Sequence, residues 1–314
     1  WGLVKVPKVT NFHGMIFANF DPEAPTLEKW LGEDGCWWLE NFILAGPLGG
    51  LEALPGWHRY WSPGNWKHLA ENFIGDDYHV GAATHVSWFK VVGEMAKEGR
   101  LDWRKAYPAA ERQAFEATLG YTSGCPIGLG MVDLGDSTYE VDLKHAAELG
   151  KESLEWVKER HHRLDELLQD REEKPYGFMN GAIFPNLGLM GFGSPLVGRH
   201  FPLFQPRGPW EMEQWQWTMV EKEAPAAVKE LAAQRVYQGQ HMAGGIAPDD
   251  VENLERIVET MRSPRNWKLP HNYTLQLGHE AEGPTSLPGH FGPNPSEVNQ
   301  RQFYRFWLEL MEVE

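Results

Sequence analysis

The chain is poor in cysteine: 314 residues contain two, Cys36 and Cys125. Two cysteines cannot build a disulfide framework, which fits a reducing compartment, and we expect a cytoplasmic protein. Long apolar runs are also missing. None approaches the eighteen or so residues of a membrane span, and the opening "WGLVKVPKVT" has no charged region followed by an apolar one. Basic residues are scarce, 29 against 44 acidic, for a formal charge of -15. An excess of that sign argues against nucleic acid and anionic membrane surfaces as main partners and better suits a small substrate or a basic protein partner. No GxGxxG, P-loop or GxSxG motif occurs, so dinucleotide, phosphate-loop and serine-hydrolase chemistry have no sequence support.

What is present is a large apolar share, 42%, with 15 Trp and 15 Phe, enough for one large domain or one domain with a small appendage. Residues 3–20 read as two short strands joined by a turn at His13-Gly14, and Gly49 to Tyr60 suggests another strand. A helix capped by Asn65 is expected to run through Trp66, Leu69 and Phe73 towards His79. The charged stretch "DLKHAAELGKESLEWVKERHHRLDELLQDREEK" is a long helix with a break expected at Gly150, and "EMEQWQWTMV" carries the clearest strand alternation. "APAAVKELAAQRVYQGQ" and "NPSEVNQRQFYRFWLELME" read as further helices. Antiparallel-looking strands separated from long helices predict an α+β fold, with helices on one face of a curved sheet. The chain opens on Trp1 directly into strand-like residues, as expected of a piece of a longer protein.

The chemistry concentrates in "NWKHLAENFIGDDYHVGAATH". Asp76 and His79 lie three apart, on one face if helical, and His85 lies far enough on for the chain to bend back and bring both imidazoles to one point. Two neutral imidazoles and one carboxylate make a facial triad that leaves coordination positions of an Fe(II) ion open. Spacing alone leaves the third ligand undecided: Asp76, or a residue elsewhere with Asp76 receiving an imidazole N–H. By itself an H-x5-H pair among 13 histidines reads more readily as structural than as ligating.

"AENFIGDDYHVGAATH" resembles the mononuclear iron motif of the Rieske non-heme iron oxygenases, the large subunits of aromatic-ring-hydroxylating dioxygenases. Glu71, Asn72, Asp76, Tyr78, His79 and His85 stand in that family's order. "VPKVTNFHGMIFANFDPEAPTLEKWLG", "AIFPNLGLM", "RHFPLFQPRGPWEMEQWQW" and "NQRQFYRFWLELM" extend the resemblance over nearly the whole chain. It implies a helix-grip fold of the Bet v1/START-like kind, with residues 1–21 the end of a Rieske domain and 22–314 the mononuclear iron catalytic domain. It also implies that the acidic segment "GGIAPDDVENLERI" supplies the third ligand, Asp250, with Asp249 as the alternative. Without the resemblance that segment reads as a helix N-terminus whose acidic residues suit the dipole.

On this reading His79, His85 and Asp250 bind Fe(II), while Asp76 bonds a ligand histidine and faces a neighbouring subunit. Asn72 lies near the open positions, and Phe73, Val80, Phe184, Leu187 and Ile246 are candidate pocket residues. The implied partners are an aromatic substrate, dioxygen, a ferredoxin or reductase as electron donor, and further copies in a trimer, with or without a small beta subunit. The family's [2Fe-2S] cluster needs a C-x-H and a C-x-x-H pair. Cys36 is followed by Trp37-Trp38 and Cys125 by Pro126-Ile127, so this chain has no ligands for the cluster expected in the complete protein.

Two other readings stand beside this one. An oxygenase-like chain without turnover could hold an apolar ligand, though such a chain has no reason to keep all four of His79, His85, Asp76 and Asp250. A zinc hydrolase could use the same triad but lacks an obvious general base. His161-His162 fit a solvated helix face, and His279-Glu280 lacks the second histidine of a zinc-protease signature.

Overall fold

The computed structural model describes residues 2–44, 48–76, 79, 83–87, 90, 118–122, 127–132, 136–170, 178–191, 194–279, 288–293 and 296–312. The expected N-terminal hairpin forms from Lys8–Phe12 (β1) and Met15–Asn19 (β2), as a two-stranded sheet of its own. Its turn places His13 at φ 47° and Gly14 at φ 93°. Leu27–Trp38 (α1) starts at Thr26, whose side chain accepts from the Lys29 N–H, and runs into a π-helical segment, Leu39–Leu44.

Short strands Leu51–Ala53 (β3) and His58–Pro63 (β4) precede the helix Trp66–Phe73 (α2). The strands Thr118–Thr122 (β5) and Ile127–Val132 (β6) follow. Two helices come next, Asp136–Leu149 (α3) and Lys151–Leu167 (α4), parted at Gly150, where φ is 117°. Then come Phe178–Ile183 (β7), Leu187–Met190 (β8), Arg199–Pro206 (β9) and Glu211–Glu221 (β10). The chain ends with helix Ala226–Gln240 (α5), helix Ala247–Met261 (α6), strand His290–Pro293 (β11) and helix Val298–Met311 (α7).

Among the described residues nine strands join in one antiparallel sheet of order β11-β5-β6-β7-β8-β9-β10-β3, with β4 also paired to β10. β10 is long enough to hold β3 against Met219–Glu221 and β4 against Glu211–Gln216 on the same edge. Its alternation is what the sequence shows. Met212, Gln214, Gln216, Thr218 and Val220 all point to one face and are buried.

Helices α2, α6 and α7 cover that face. Leu69, Ala70, Phe73 and Ile74 meet Ala182, Phe204 and Met212 of the sheet, with Leu254 and Phe303 closing the cluster. The fold is thus α+β on an antiparallel sheet, and its site-bearing helices share one face. A second layer packs on the opposite face, where Leu31, Trp38, Leu39, Leu164 and Leu168 lie against Ile183, Leu189 and Phe201. Each large apolar side chain buried in these layers contributes about 1.5–3 kcal/mol.

Candidate metal centre

Asn65 caps α2, its side chain accepting from the Lys67 N–H at 3.1 Å. The helix ends at Phe73, short of the expected run towards His79, because Gly75 adopts φ 146°. The Asn299 amide donates to the Ile74 carbonyl there, and a Cβ on Gly75 would lie 2.9 Å from Asn299 Nδ2. Asp76 and His79 therefore meet across a turn and not along a helix face. His79 Nδ1 donates to the Asp76 main-chain oxygen and sits 3.6 Å from its carboxylate. Thr84 N–H donates back to the His79 carbonyl at 2.8 Å, closing the loop that presents His85. Asp77, Tyr78 and Val80 lie outside the described residues.

The third side chain arrives from the first turn of α6. The connection from α5 is tied by Gly245 N–H to the Gln238 carbonyl (2.8 Å) and Ile246 N–H to the Gly239 carbonyl (3.1 Å). Gly244 is required for this path, since a Cβ would lie 2.7 Å from both of those carbonyl oxygens. Pro248 stands at the helix start, where its missing N–H costs nothing, and Asp249 and Asp250 follow it in the first turn.

Asp250 Oδ1 lies 3.2 Å from His85 Nε2 and 3.7 Å from His79 Nε2. The two rings stand 5.2 Å apart at 65°. One ligand atom from each of the three residues falls within 4.8 Å of the others, a group that could hold a metal ion. Bonds of about 2.0–2.2 Å from a first-row divalent ion to nitrogen and oxygen would draw these three atoms closer together around it. Burial would lower the His79 pKa, but the hydrogen bond and charge of Asp76, with the charge of Asp250, raise it overall. The pair of carboxylates thus concentrates negative charge where a cation would sit.

Asn72 places its amide 3.2 Å from His79 Nε2, beside the centre. Asp76 Oδ1 is buried with no hydrogen-bond partner among the described residues. Phe73 packs edge-on to Phe204 at 5.1 Å. Phe184 lies among the rings of Trp30, Trp66, Phe303 and Phe306. Ile246 immediately precedes α6. Leu187 pairs with Ile183 and Leu203 and packs with the opposite layer.

Three features escaped the sequence reading. Asp249 does more than suit the helix dipole, for its Oδ2 lies 3.3 Å from His85 Nδ1. Glu71, on the turn that carries Asn72, accepts from the Tyr304 hydroxyl (2.7 Å) and the Tyr273 hydroxyl (3.1 Å). Burial pushes its carboxyl up to about 7, against the opposing effect of those two hydroxyls. Tyr60, raised by burial and by the charge of Asp250, joins Gln214 and Gln216 in a buried polar row on β4 and β10. Only the alternation of β10 hinted at that row, since no local pattern links such distant residues.

Residues 53–313 match the family model for the ring-hydroxylating alpha subunit, catalytic domain. The biphenyl 2,3-dioxygenase alpha subunit of Rhodococcus jostii strain RHA1 is 30% identical over 318 residues, covering 99% of this chain and 63% of the relative. The large oxygenase component of the naphthalene 1,2-dioxygenase system of Pseudomonas putida is 31% identical over 306 residues, covering 97% and 64%. A solved naphthalene 1,2-dioxygenase with indole bound in its active site superposes with a TM-score of 0.75 at 29% identity, over 98% of this chain and 64% of that one. A quaternary ammonium Rieske monooxygenase shares the fold at a TM-score of 0.56 and 13% identity, over 96% and 61%. The chain thus spans a little under two thirds of the length of these curated relatives. It belongs to the ring-hydroxylating alpha-subunit catalytic-domain family.

Proposed function

We propose that this chain is the catalytic portion of an aromatic-ring-hydroxylating oxygenase, with Fe(II) held by His79, His85 and Asp250. The observation that carries this reading is the convergence of His79 Nε2, His85 Nε2 and Asp250 Oδ1. Two imidazoles and one carboxylate suit a borderline divalent ion and leave coordination positions free. Iron bound there supplies the reductive activation of dioxygen used to hydroxylate an arene.

The chain's own residues set the geometry. Asp76 holds the His79 ring through Nδ1, which leaves Nε2 to face Asp250. Asn72 borders the His79 ligand atom and is suited to orient what enters beside it. Phe73 presents an apolar wall fixed by Phe204, while Phe184 and Ile246 stand as further candidates for excluding water and orienting the ring. Asp76, which holds His79, is proposed in addition to face a neighbouring subunit in the assembled protein.

Residues 1–21 fit the end of a Rieske domain and 22–314 the catalytic portion. The β1-β2 hairpin is separate from the large sheet, and its Val9, Ile16 and Phe20 are exposed, as suits packing against a further domain. In the complete protein a [2Fe-2S] cluster would pass electrons from a ferredoxin or reductase, within a cytoplasmic trimer with or without a small beta subunit. Among the described residues no helix is long and apolar enough to cross a membrane.

The test uses the full-length protein with an electron-transfer partner, a panel of aromatic hydrocarbons and labelled dioxygen. Label should enter a hydroxylated product with the wild type and not with His85→Ala. Equal product from both proteins would overturn the assignment of the site.

A further inference from the structure

The two adjacent acidic residues of α6 address different atoms of one imidazole: Asp250 Oδ1 lies 3.2 Å from His85 Nε2, and Asp249 Oδ2 lies 3.3 Å from His85 Nδ1. One turn further along the same helix face, the Asn253 side-chain amide donates to Thr84 Oγ1 at 2.6 Å. Three side chains of a single helix thus grip two consecutive residues, Thr84 and His85.

We propose that Asp249 and Asn253 form a latch that fixes the ring of His85, so that Nε2 faces Asp250 before any metal binds. The inference rests on the reading of His79, His85 and Asp250 as a metal centre. An imidazole has two nitrogens, and the one that ligates is decided by what the other is bonded to. Asp249 accepts the Nδ1 proton, which leaves the Nε2 lone pair free for a cation and makes that nitrogen a stronger donor. His85 is 3% exposed, so the ring has no bulk water to replace this partner.

Asn253 acts further back. Its bond to Thr84 sets where the main chain carries His85 relative to α6, and therefore how far Nε2 stands from Asp250. The arrangement mirrors that at His79, whose Nδ1 is held by Asp76. There the partner lies three residues away on the same turn. Here both partners come from α6, so the third ligand and the residues that orient the second arrive together. Asp249 also stands in the first helical turn, where a carboxylate stabilises any helix through its dipole. The latch differs from that general effect in predicting a change in metal affinity.

The test is anaerobic titration of the apoprotein with Co(II), followed by its visible absorption and by dissociation constant. The proteins are wild type, Asp249→Ala, Asp249→Asn, Asn253→Ala, the solvent-facing control Glu252→Ala, and His85→Ala. Asp249→Ala should bind about 10–100-fold more weakly with an altered Co(II) band. Asp249→Asn, which keeps an acceptor, should recover part of that loss, and Asn253→Ala should lose less than Asp249→Ala. Glu252→Ala should bind as the wild type does.

Wild-type affinity and spectrum in Asp249→Ala, with only its thermal stability reduced, would reduce Asp249 to a helix-dipole residue and overturn the latch. Should Asp249→Ala fail to fold, Asp249→Asn and Asn253→Ala carry the same comparison, and wild-type affinity in both would be equally adverse. His85→Ala separates the two levels. Undiminished binding in that variant defeats the metal centre itself, whereas loss there with none in the latch variants defeats the latch alone.

Discussion

His85 Nε2 and Asp250 Oδ1 stand 3.2 Å apart, although the imidazole comes from the loop after α2 and the carboxylate from the first turn of α6. A cation between them would bind the folded chain and not the unfolded one, in which the two residues are far apart. Mass action then requires stabilisation, about 2.7 kcal/mol when the free metal is a hundred times its dissociation constant. Fe(II) or Co(II) added without air should raise the Tm of the wild type and leave that of Asp250→Ala unmoved. Scanning calorimetry reads both, and equal shifts in the two proteins would place the metal elsewhere.

Glu71 gives a pH signature of definite sign. Burial pushes its carboxyl up to about 7, from an ordinary value near 4.5, while Tyr304 and Tyr273 pull the other way. The folded state then binds more protons than the unfolded one between those values, so this group's contribution to stability falls as pH rises from about 4.5 to about 7. Glu71→Gln should flatten that part of the urea-unfolding profile. Tyr304→Phe should act oppositely, destabilising by about 1–3 kcal/mol and more at pH 8 than at pH 5, since the lost hydroxyl serves the ionised form. A profile unchanged by Glu71→Gln would contradict this.

His200 has the reverse sign. It is fully buried on β9, and burial, reinforced by His241 and His58, pushes its pKa down to about 3. The unfolded chain takes up the proton first, so stability is complete above about pH 6.5 and declines as pH falls from there towards 3. Its ring should show no imidazolium signal by nuclear magnetic resonance at pH 5, and His200→Gln should shallow the acid limb. A ring protonated at pH 5 would show that His200 is not held neutral.

Gly188 is where the sheet admits the ring of Phe73. A Cβ there would lie 2.7 Å from Pro202 Cγ, 2.9 Å from Phe73 Cδ1 and 3.0 Å from Phe204 Cζ. Gly188→Ala should cost about 1–3 kcal/mol by overpacking and displace Phe73, with α2 and its Asn72. Unfolding measurements check the first effect, and a lowered Co(II) affinity the second. A neutral substitution would mean that Phe73 is free to move.

Much of the architecture was legible because its signals are local. The alternation of Glu211–Glu221, the cap at Asn65 and the break at Gly150 each act within a few residues, and the structure has all three. The end of α2 was not legible, since it depends on Asn299 closing over Gly75 from the far end of the chain. The layer opposite α2 was hidden for the same reason, as Leu164 gives no sign of the strands it will meet. In the site, residue type and spacing made His79 and His85 candidates only, and family resemblance was needed to read them as ligands and to add Asp250. Nothing local separates Asp249 from Asp250. Only the folded position of His85 assigns them different nitrogens.

The central claim is tested most directly by metal and acid-labile sulfide analysis of this chain purified without air, beside His79→Ala. The account predicts about one iron per chain, no sulfide, and loss of that iron in the variant. Zinc in place of iron, or a metal content that His79→Ala leaves unchanged, would contradict it.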